Sequence, residues 1–358
     1  MADDGRVGQL HRIGLIGNRA HQMLWAPIFH QRSDCRIVAA AEHDAEKGRA
    51  LEQFGVRCAA DYDEVFDDPD VDIVSTATDF YLKRPLIQKA LERGKHVLVD
   101  KPAGRTMREA REILDAAGRS RARLLLTYPL RFQAGLAQLS AAVRSGAYRN
   151  IASYSHHWVR QFPDSDLMTY VSYPTPARIN GGGELMNHGS HAVDYLHGLF
   201  GSPRRVHCRM ENLYWNEYRA FGTEDIATLT CDYDTFSARI VTGRNKVPRE
   251  EPTANTVDLL CEGNWVRVED DTCHVNGKAV AVAAQPLSPR EGCIQNLIDC
   301  IASGAEPLTG AAAGLAVAEI TTAAYQSARS GDWVSLPLVD ETHPLIAADE
   351  QVIDGRLD

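Results

Sequence analysis

The sequence is poor in the patterns that would assign it quickly. It has no run of basic residues, and 48 Asp and Glu against 38 Lys and Arg give a formal charge of -10. Such a chain repels nucleic acid and anionic lipid, so neither is expected as a partner. No stretch approaches the roughly 20 apolar residues that span a bilayer. The opening MADDGRVGQLHR holds no apolar core of signal-peptide length, so the expected location is the cytoplasm. The eight cysteines, Cys35, Cys58, Cys208, Cys231, Cys261, Cys273, Cys293 and Cys300, include no C-x-x-C pair. In a reducing compartment they read as small buried hydrophobes, which excludes a disulfide framework or a zinc ribbon. Internal repeats, low-complexity tracts and long linkers are absent too.

A complete glycine fingerprint is also missing. The first apolar run, RIGLIGNRAHQ at 12–22, leads into Gly17, but Arg19 and Gln22 stand where G-x-G-x-x-G needs its second and third glycines. Gly17 supplies the tight turn, and Asn18 tolerates a left-handed conformation. Arg19 denies the close backbone approach of a glycine, although its guanidinium suits a pyrophosphate or a 2'-phosphate. Gln22 implies looser packing of helix against strand.

What is present is a chain of 358 residues, 44% apolar and 24% charged, enough for two domains. Short apolar strands, RIGLIG, CRIVAAAE, VDIVSTAT, HVLVDKP and RLLLTY, alternate with helical stretches. That rhythm predicts an α/β domain with a doubly wound parallel sheet over residues 1–128. Beyond GLAQLSAAVRSG the pattern turns to strands separated by turn residues, as in DIATLTCDYDTFSARIVTG and VDLLCEGNWVRVED. The spacing predicts an α+β domain over 129–340 with a largely antiparallel open sheet, covered by helices from 183–200 and 288–330. Residues 341–358 read as an acidic tail with a short helix.

Lys101 ends the strand HVLVDKP, where open α/β sheets place ligands, and a lysine there can stabilise developing negative charge on oxygen. His191 lies in NHGSHAVD four residues after Asn187, so on a helix the two share a face. An imidazole titrating near neutrality suits removal of a hydroxyl proton. His188, His191 and Asp194, with His156 and His157, also have ligand-like spacing. Adjacent strand residues point to opposite faces, however, and no metal is expected. Of His156 and His157, the one facing the cleft is a substrate contact; we assign His157, with Trp158. Tyr128 and Arg131, in TYPLRF, fall at the domain crossing and line the cleft, with an ion pair at the boundary an equal reading for Arg131. The run Gly181-Gly182-Gly183 allows close backbone approach before the helix, with a plain helix-entry turn an equal reading. Glu42, 25 residues beyond Gly17, is placed for adenosine ribose hydroxyls and favours NAD over NADP, while His43 and Arg19 speak for a phosphate.

Three segments in order, GKHVLVDKPAG (94–104), GGGELMNHGSHAVDYLHGLFG (181–201) and AYQSARSGDWVSLPL (324–338), resemble the Gfo/Idh/MocA oxidoreductases, from about residue 12 to 338. The resemblance implies a Rossmann domain binding NAD or NADP and a second domain carrying the substrate. It implies hydride transfer between nicotinamide and a secondary alcohol or ketone of a sugar, cyclitol or related polyol. The family's E-K-P stands here as Asp100-Lys101-Pro102, with a cis bond implied before Pro102. Lys101 would stabilise the oxygen, His191 act as general acid/base, and Asn187, where the family usually has Asp, orient the ring or a substrate hydroxyl. Cofactor contacts are implied for Gly17, Asn18, Arg19, Glu42, Thr78, Asp79, Phe80, Asp100, Lys101 and Pro102. The family's T-P-N and following His are replaced by Thr78-Asp79-Phe80 and Lys83, with Asp79 suited to cap the next helix. A homodimer or homotetramer through the second sheet is implied as well. An NAD-retaining hydrolase or lyase working by transient oxidation, and a non-catalytic nucleotide-binding relative, are the alternatives.

Overall fold

The computed structural model describes residues 10–19, 21–163, 175–248, 253 and 255–353. Its first half is a six-stranded parallel sheet of β1 (His11–Ile16), β2 (Cys35–Ala41), β3 (Cys58–Ala59), β4 (Ile73–Thr76), β5 (His96–Val99) and β6 (Leu124–Leu126). The spatial order is β3-β2-β1-β4-β5-β6, with the switch point between β1 and β4. The central strands read as unbroken apolar runs because both sheet faces are covered. On one face Ile13, Leu15, Leu98 and Leu125 pack with Trp25 and Phe29 of the helix Gln22–Gln31. On the other, Val97, Val99, Leu124 and Leu126 meet Ile87, Leu91 and Ile113 from the helices Phe80–Glu92 and Met107–Arg119.

The second half forms a nine-stranded sheet built on β7 (Ser153–Pro163), β8 (Arg205–Glu211), β9 (Ile226–Asp232), β10 (Ser237–Val247) and β11 (Thr256–Cys261), followed by β12 (Asn264–Glu269), β13 (Thr272–Val275), β14 (Lys278–Val280) and β15 (Val334–Ser335). The order is β14-β13-β12-β11-β7-β10-β9-β8-β15, antiparallel except where β7 and β10 run parallel. Tyr154 and His156 of β7 point inward while Ser155 and His157 are exposed, so one face is covered and the other open.

The helix Pro289–Ser303 corrects the expectation that 288–330 covers the second sheet. It begins with a Ser288/Glu291 capping box, and its Cys293, Ile294, Leu297 and Ile298 join Trp25, Phe29, Leu98 and Leu125 on the parallel sheet. Full burial of each such side chain contributes about 1.5–3 kcal/mol, which draws the chain back onto the first domain. The helix Ala311–Ser330 does bridge the halves: Gly314 lies against Leu126 and Ala103, while Ser327 Oγ accepts from the Cys208 amide at 3.0 Å.

Residues 341–353 are docked on the first domain and contain one 3-10 turn, Ala348–Glu350. The carbonyls of Glu350, Gln351 and Ile353 accept from Arg105, Thr106 and Arg84. His343 is fully buried there, and burial, followed by the charge of Arg105, pushes its pKa down to about 3. Burial likewise lowers His156 to about 4. Both folded values lie below the ordinary ~6.5, so the unfolded chain binds more protons in between. Their contribution is fully present above the unfolded value and is lost progressively as pH falls from there through the folded values of about 3 and about 4. Lowering the pH from 7 to 5 should cost about 2 kcal/mol per histidine. Thermal unfolding across this range should show a shallower acid slope in His343→Asn; an unaltered slope would remove His343 from the account.

Among the described residues, no helix is long and apolar enough to cross a membrane.

Candidate active site

A cavity of about 680 Å³ opens at the carboxyl ends of the parallel strands and is closed from above by the second sheet. Its floor begins at the glycine turn. Gly17 has φ +74°, and a Cβ there would lie 2.5 Å from Thr78 Cγ2 and 2.7 Å from the Ala77 carbonyl oxygen, so the turn admits glycine alone. The Asn18 amide donates to Glu42 Oε2 at 2.6 Å, and the Asp44 amide to Glu42 Oε1 at 3.0 Å. A carboxylate offers about four acceptor positions, so Glu42 retains capacity for ribose hydroxyls.

The two substituted glycine positions behave differently from expectation. Gln22 does not loosen the helix: it is fully buried, donates to the Ser75 carbonyl at 3.1 Å and accepts from Ser75 Oγ at 3.3 Å, bonding helix to β4. Arg19 forms an ion pair with Asp79. Asp79 does stand at the N-cap of Phe80–Glu92, but its carboxylate makes no capping bond, being turned to Arg19 instead. His43 is drawn to the Ala60 carbonyl at 2.5 Å and against the Tyr62 ring.

Lys101 follows β5 and is 2% exposed, with a cis peptide to Pro102. Its Nζ donates to Asn187 twice, to the carbonyl oxygen at 2.6 Å and to Oδ1 at 2.8 Å. Burial lowers its pKa to about 8 against the opposing pull of Asp100 and Glu184. Burial alone would raise Asp100, yet His21, Lys83 and Lys101 together hold it well below the usual carboxylate range. His21 Nδ1 lies 2.9 Å from Asp100 Oδ2. Lys83 is fully buried beneath this loop and donates to the carbonyls of Asp100 (2.5 Å), Lys101 (2.7 Å) and Pro102 (3.3 Å), with the Phe80 ring 3.9 Å away.

The opposite wall comes from residues 181–200. A Cβ on Gly182 would sit 1.9 Å from Tyr325 Oη, and one on Gly183 2.1 Å from the Glu224 carbonyl oxygen, so this loop is tightly enclosed. Glu224 accepts from the amides of Gly183 and Leu185 and from Tyr325 Oη, and burial raises its pKa to about 7. A π-helical turn, Leu185–Gly189, then precedes the helix Ser190–Phe200. The wide turn alters the i, i+4 geometry expected for Asn187 and His191. Asn187 Nδ2 donates to Glu184 Oε1 at 3.1 Å while its oxygens hold Lys101, so it orients the lysine rather than the imidazole.

His191 lines the cavity, edge-on to Tyr128 (5.6 Å between ring centres) and near Trp158 (5.8 Å). Its Nδ1 has no hydrogen-bond partner among the described residues. Burial, then the charges of Lys101 and His21, push its pKa well below the imidazole value, leaving a neutral ring.

Other expected contacts lie elsewhere. Arg131 pairs with Asp194 at 2.6 and 3.0 Å inside the fold, which also removes Asp194 from the site. Tyr128 is fully buried behind His191. His157 is exposed on the open face of β7; His156 points inward but is held by Tyr154 and Asn255. Trp158 reaches the cavity and lies 3.7 Å from His188 between ring centres. Lining residues that the sequence does not single out include His21, Gln133, Arg160, Phe162, Arg244 and Ser288–Arg290. The strand parity of Trp158 points to Arg160 and Phe162; nothing in the linear chain points to Arg244. Among the described residues, no three His, Cys, Asp or Glu side chains are arranged to hold a metal ion.

A 3-2-1-4-5-6 parallel sheet with its cavity at the switch-point end, roofed by an open sheet, defines a two-domain oxidoreductase of the NAD(P)-binding Rossmann type. The chain belongs to the Gfo/Idh/MocA family: the model of the oxidoreductase family with an NAD-binding Rossmann fold matches residues 11–128, and that of the GFO/IDH/MocA C-terminal domain matches 136–269. Levoglucosan dehydrogenase of Pseudarthrobacter phenanthrenivorans is 27% identical over 54% of this chain and 53% of its own length. D-apiose dehydrogenase of Paraburkholderia graminis is 24% identical over 92% of this chain and 90% of its own. The chain thus spans about half the length of the first relative and nearly all of the second. Among solved structures, aldose-aldose oxidoreductase from Caulobacter crescentus superposes with a TM-score of 0.77 at 24% identity, covering 92% of this chain and 100% of that one. An Agrobacterium radiobacter oxidoreductase in complex with NAD+, L-tartaric acid and magnesium gives 0.80 at 19%, covering 91% and 98%. These likenesses concern the fold.

Proposed function

We propose that the protein is an NAD-dependent dehydrogenase or reductase acting on a secondary alcohol or ketone of a sugar, cyclitol or related polyol. The observation that carries this reading is the convergence of Lys101 and His191 on one cavity beside the glycine turn. A bound nicotinamide would supply the hydride acceptor or donor. Gly17, Asn18, Glu42, Thr78, Phe80 and the Asp100-Lys101-Pro102 loop would hold the dinucleotide. The neutral His191 takes the hydroxyl proton during oxidation and returns it during reduction. Lys101, aimed by Asn187, donates to the reacting oxygen as negative charge develops.

NAD is favoured because Glu42 would repel a 2'-phosphate, Arg19 is ion-paired with Asp79, and His43 is held by Ala60. Fluorescence titration should therefore give at least ten-fold tighter binding of NADH than NADPH, and Glu42→Ala should narrow the gap. A panel of polyols and aldoses with the preferred nucleotide then tests the reaction. Binding of neither nucleotide would overturn the reading.

A further inference from the structure

Glu184 is a buried carboxylate beside the reacting centre to which the proposed chemistry gives no task. It is fully buried, stands immediately before the π-helical turn that carries Asn187, and donates its own amide to the Glu224 carbonyl at 3.0 Å. Donors from three elements converge on its Oε1: Asn187 Nδ2 at 3.1 Å, Arg244 Nε of β10 at 2.9 Å, and Tyr218 Oη of the short helix Asn216–Ala220. Tyr218 in turn packs with Trp215 and Phe162, and Phe162 lines the cavity. The roof of the cavity is thereby joined to the residue that aims Lys101.

A carboxamide has one accepting end and one donating end. In Asn187 both are engaged: Oδ1 accepts from Lys101 Nζ at 2.8 Å, and Nδ2 donates to Glu184. The ammonium on one side and the carboxylate on the other fix which end is which. A carboxylate at 187 would still accept from Lys101, but it would set a second negative group against Glu184 and deprive it of a donor. Asn187 and Glu184 therefore form a matched pair, with the negative charge placed three residues upstream and relayed to the lysine through a neutral amide.

Resting on the oxidoreductase reading, we propose that Glu184 is a positioning residue for the reaction, supplying the negative charge of the Lys101 site and, through Asn187, holding the ammonium towards the reacting oxygen. The charged and titratable groups around Lys101 are Asp100 of its own loop, Lys83 beneath it, Glu184 and His188 of the wall, His191 of the following helix, and Arg244 of β10. Asp100 and Glu184 favour the charged lysine, whereas Arg244 opposes it. Removing the charge of Glu184 takes away one of the two supports and leaves the cation of Arg244 acting on Lys101.

The test is kcat, KM and the pH profile of kcat/KM for a polyol or aldose that is turned over, with an NADH titration of each variant. Glu184→Gln should lower kcat by about ten-fold or more with NADH affinity held within a few-fold. It should also move the alkaline limb downward from about 8 by roughly one pH unit or more, a readout that a residue serving only the fold would leave in place. Glu184→Asp keeps the charge but withdraws it by one methylene, so kcat should fall about five-fold or more while the limb stays near 8. Combining Glu184→Gln with Asn187→Asp returns a carboxylate to the lysine, and the limb should come back to about 8 or above. A limb unmoved in Glu184→Gln, or kcat unchanged in Glu184→Asp, overturns the proposal while leaving the oxidoreductase reading intact. Should Glu184→Gln not fold, kcat of Glu184→Asp decides. Failure to bind NADH strikes the oxidoreductase reading instead. The hold of Glu184 on the lysine is then read from acetylation of Lys101 by acetic anhydride across pH, followed by mass spectrometry. The midpoint should lie near 8 in the wild type and roughly one unit lower in Glu184→Gln. Equal midpoints overturn the proposal.

Discussion

Replacing Lys101 by methionine is expected to cut kcat/KM about a thousand-fold, or about 4 kcal/mol of transition-state stabilisation, with NADH affinity held within a few-fold. Methionine keeps most of the buried stem and removes the ammonium. The Asn187 carbonyl and Oδ1, now 2.6 and 2.8 Å from Nζ, then lose their donor, and the reacting oxygen loses the cation that meets its developing charge. Steady-state rates and a nucleotide titration on the same preparation separate chemistry from binding. The pKa of about 8 adds a second signature. The donor must stay protonated, so wild-type activity should decline as pH rises through about 8. In Lys101→Arg the guanidinium stays charged throughout, and this alkaline limb should vanish even though its fork fits Asn187 poorly and turnover is reduced. Full turnover in Lys101→Met would end the assignment of Lys101 to the chemistry.

The parts of this molecule that were legible in the sequence are those governed by local rules. Unbroken apolar runs belong to strands covered on both faces, and the end of one puts Lys101 at the cavity. His191 lines the same cavity, in a segment picked out by its likeness to the family rather than by spacing alone. What escaped the linear chain depended on how distant segments meet. Arg244 enters the site through its register with Arg160, which no spacing records. Asn187 was expected to serve His191 because an α-helical turn was assumed; the π-turn at Leu185–Gly189 gives it to Lys101. Gln22 promised a gap in the glycine motif and instead found Ser75 across the helix-strand contact. His157 is a case where local logic was enough: it neighbours Trp158 on a strand, so the two cannot share a face. The inward side of β7 runs through Tyr154, His156 and Trp158, and this parity excludes His157.

Replacing His191 by asparagine should lower turnover by about 10²–10⁴-fold, the range for loss of a positioned general acid/base. Asparagine fills part of the ring volume beside Tyr128 and Trp158 but cannot take a proton, which makes the pH profile the sharper readout. Burial first, then the charges of Lys101 and His21, hold His191 below its ordinary range. The acidic limb of kcat/KM for alcohol oxidation should therefore lie well below the ordinary imidazole value of about 6.5 and be missing in His191→Asn. Lys101→Met removes one of the cations that depress His191, so the residual activity of that variant should show the limb moved upward. Asn187→Asp works from the other side: a carboxylate against Lys101 Nζ raises the pKa of the lysine and shifts the alkaline limb above about 8. Because Lys101 and His191 act on one oxygen, the double variant should lose far less than the product of the two single losses. Fully multiplicative losses, or an acidic limb that stays fixed when Lys101 is replaced, would mean that the two residues do not meet at a common reacting group.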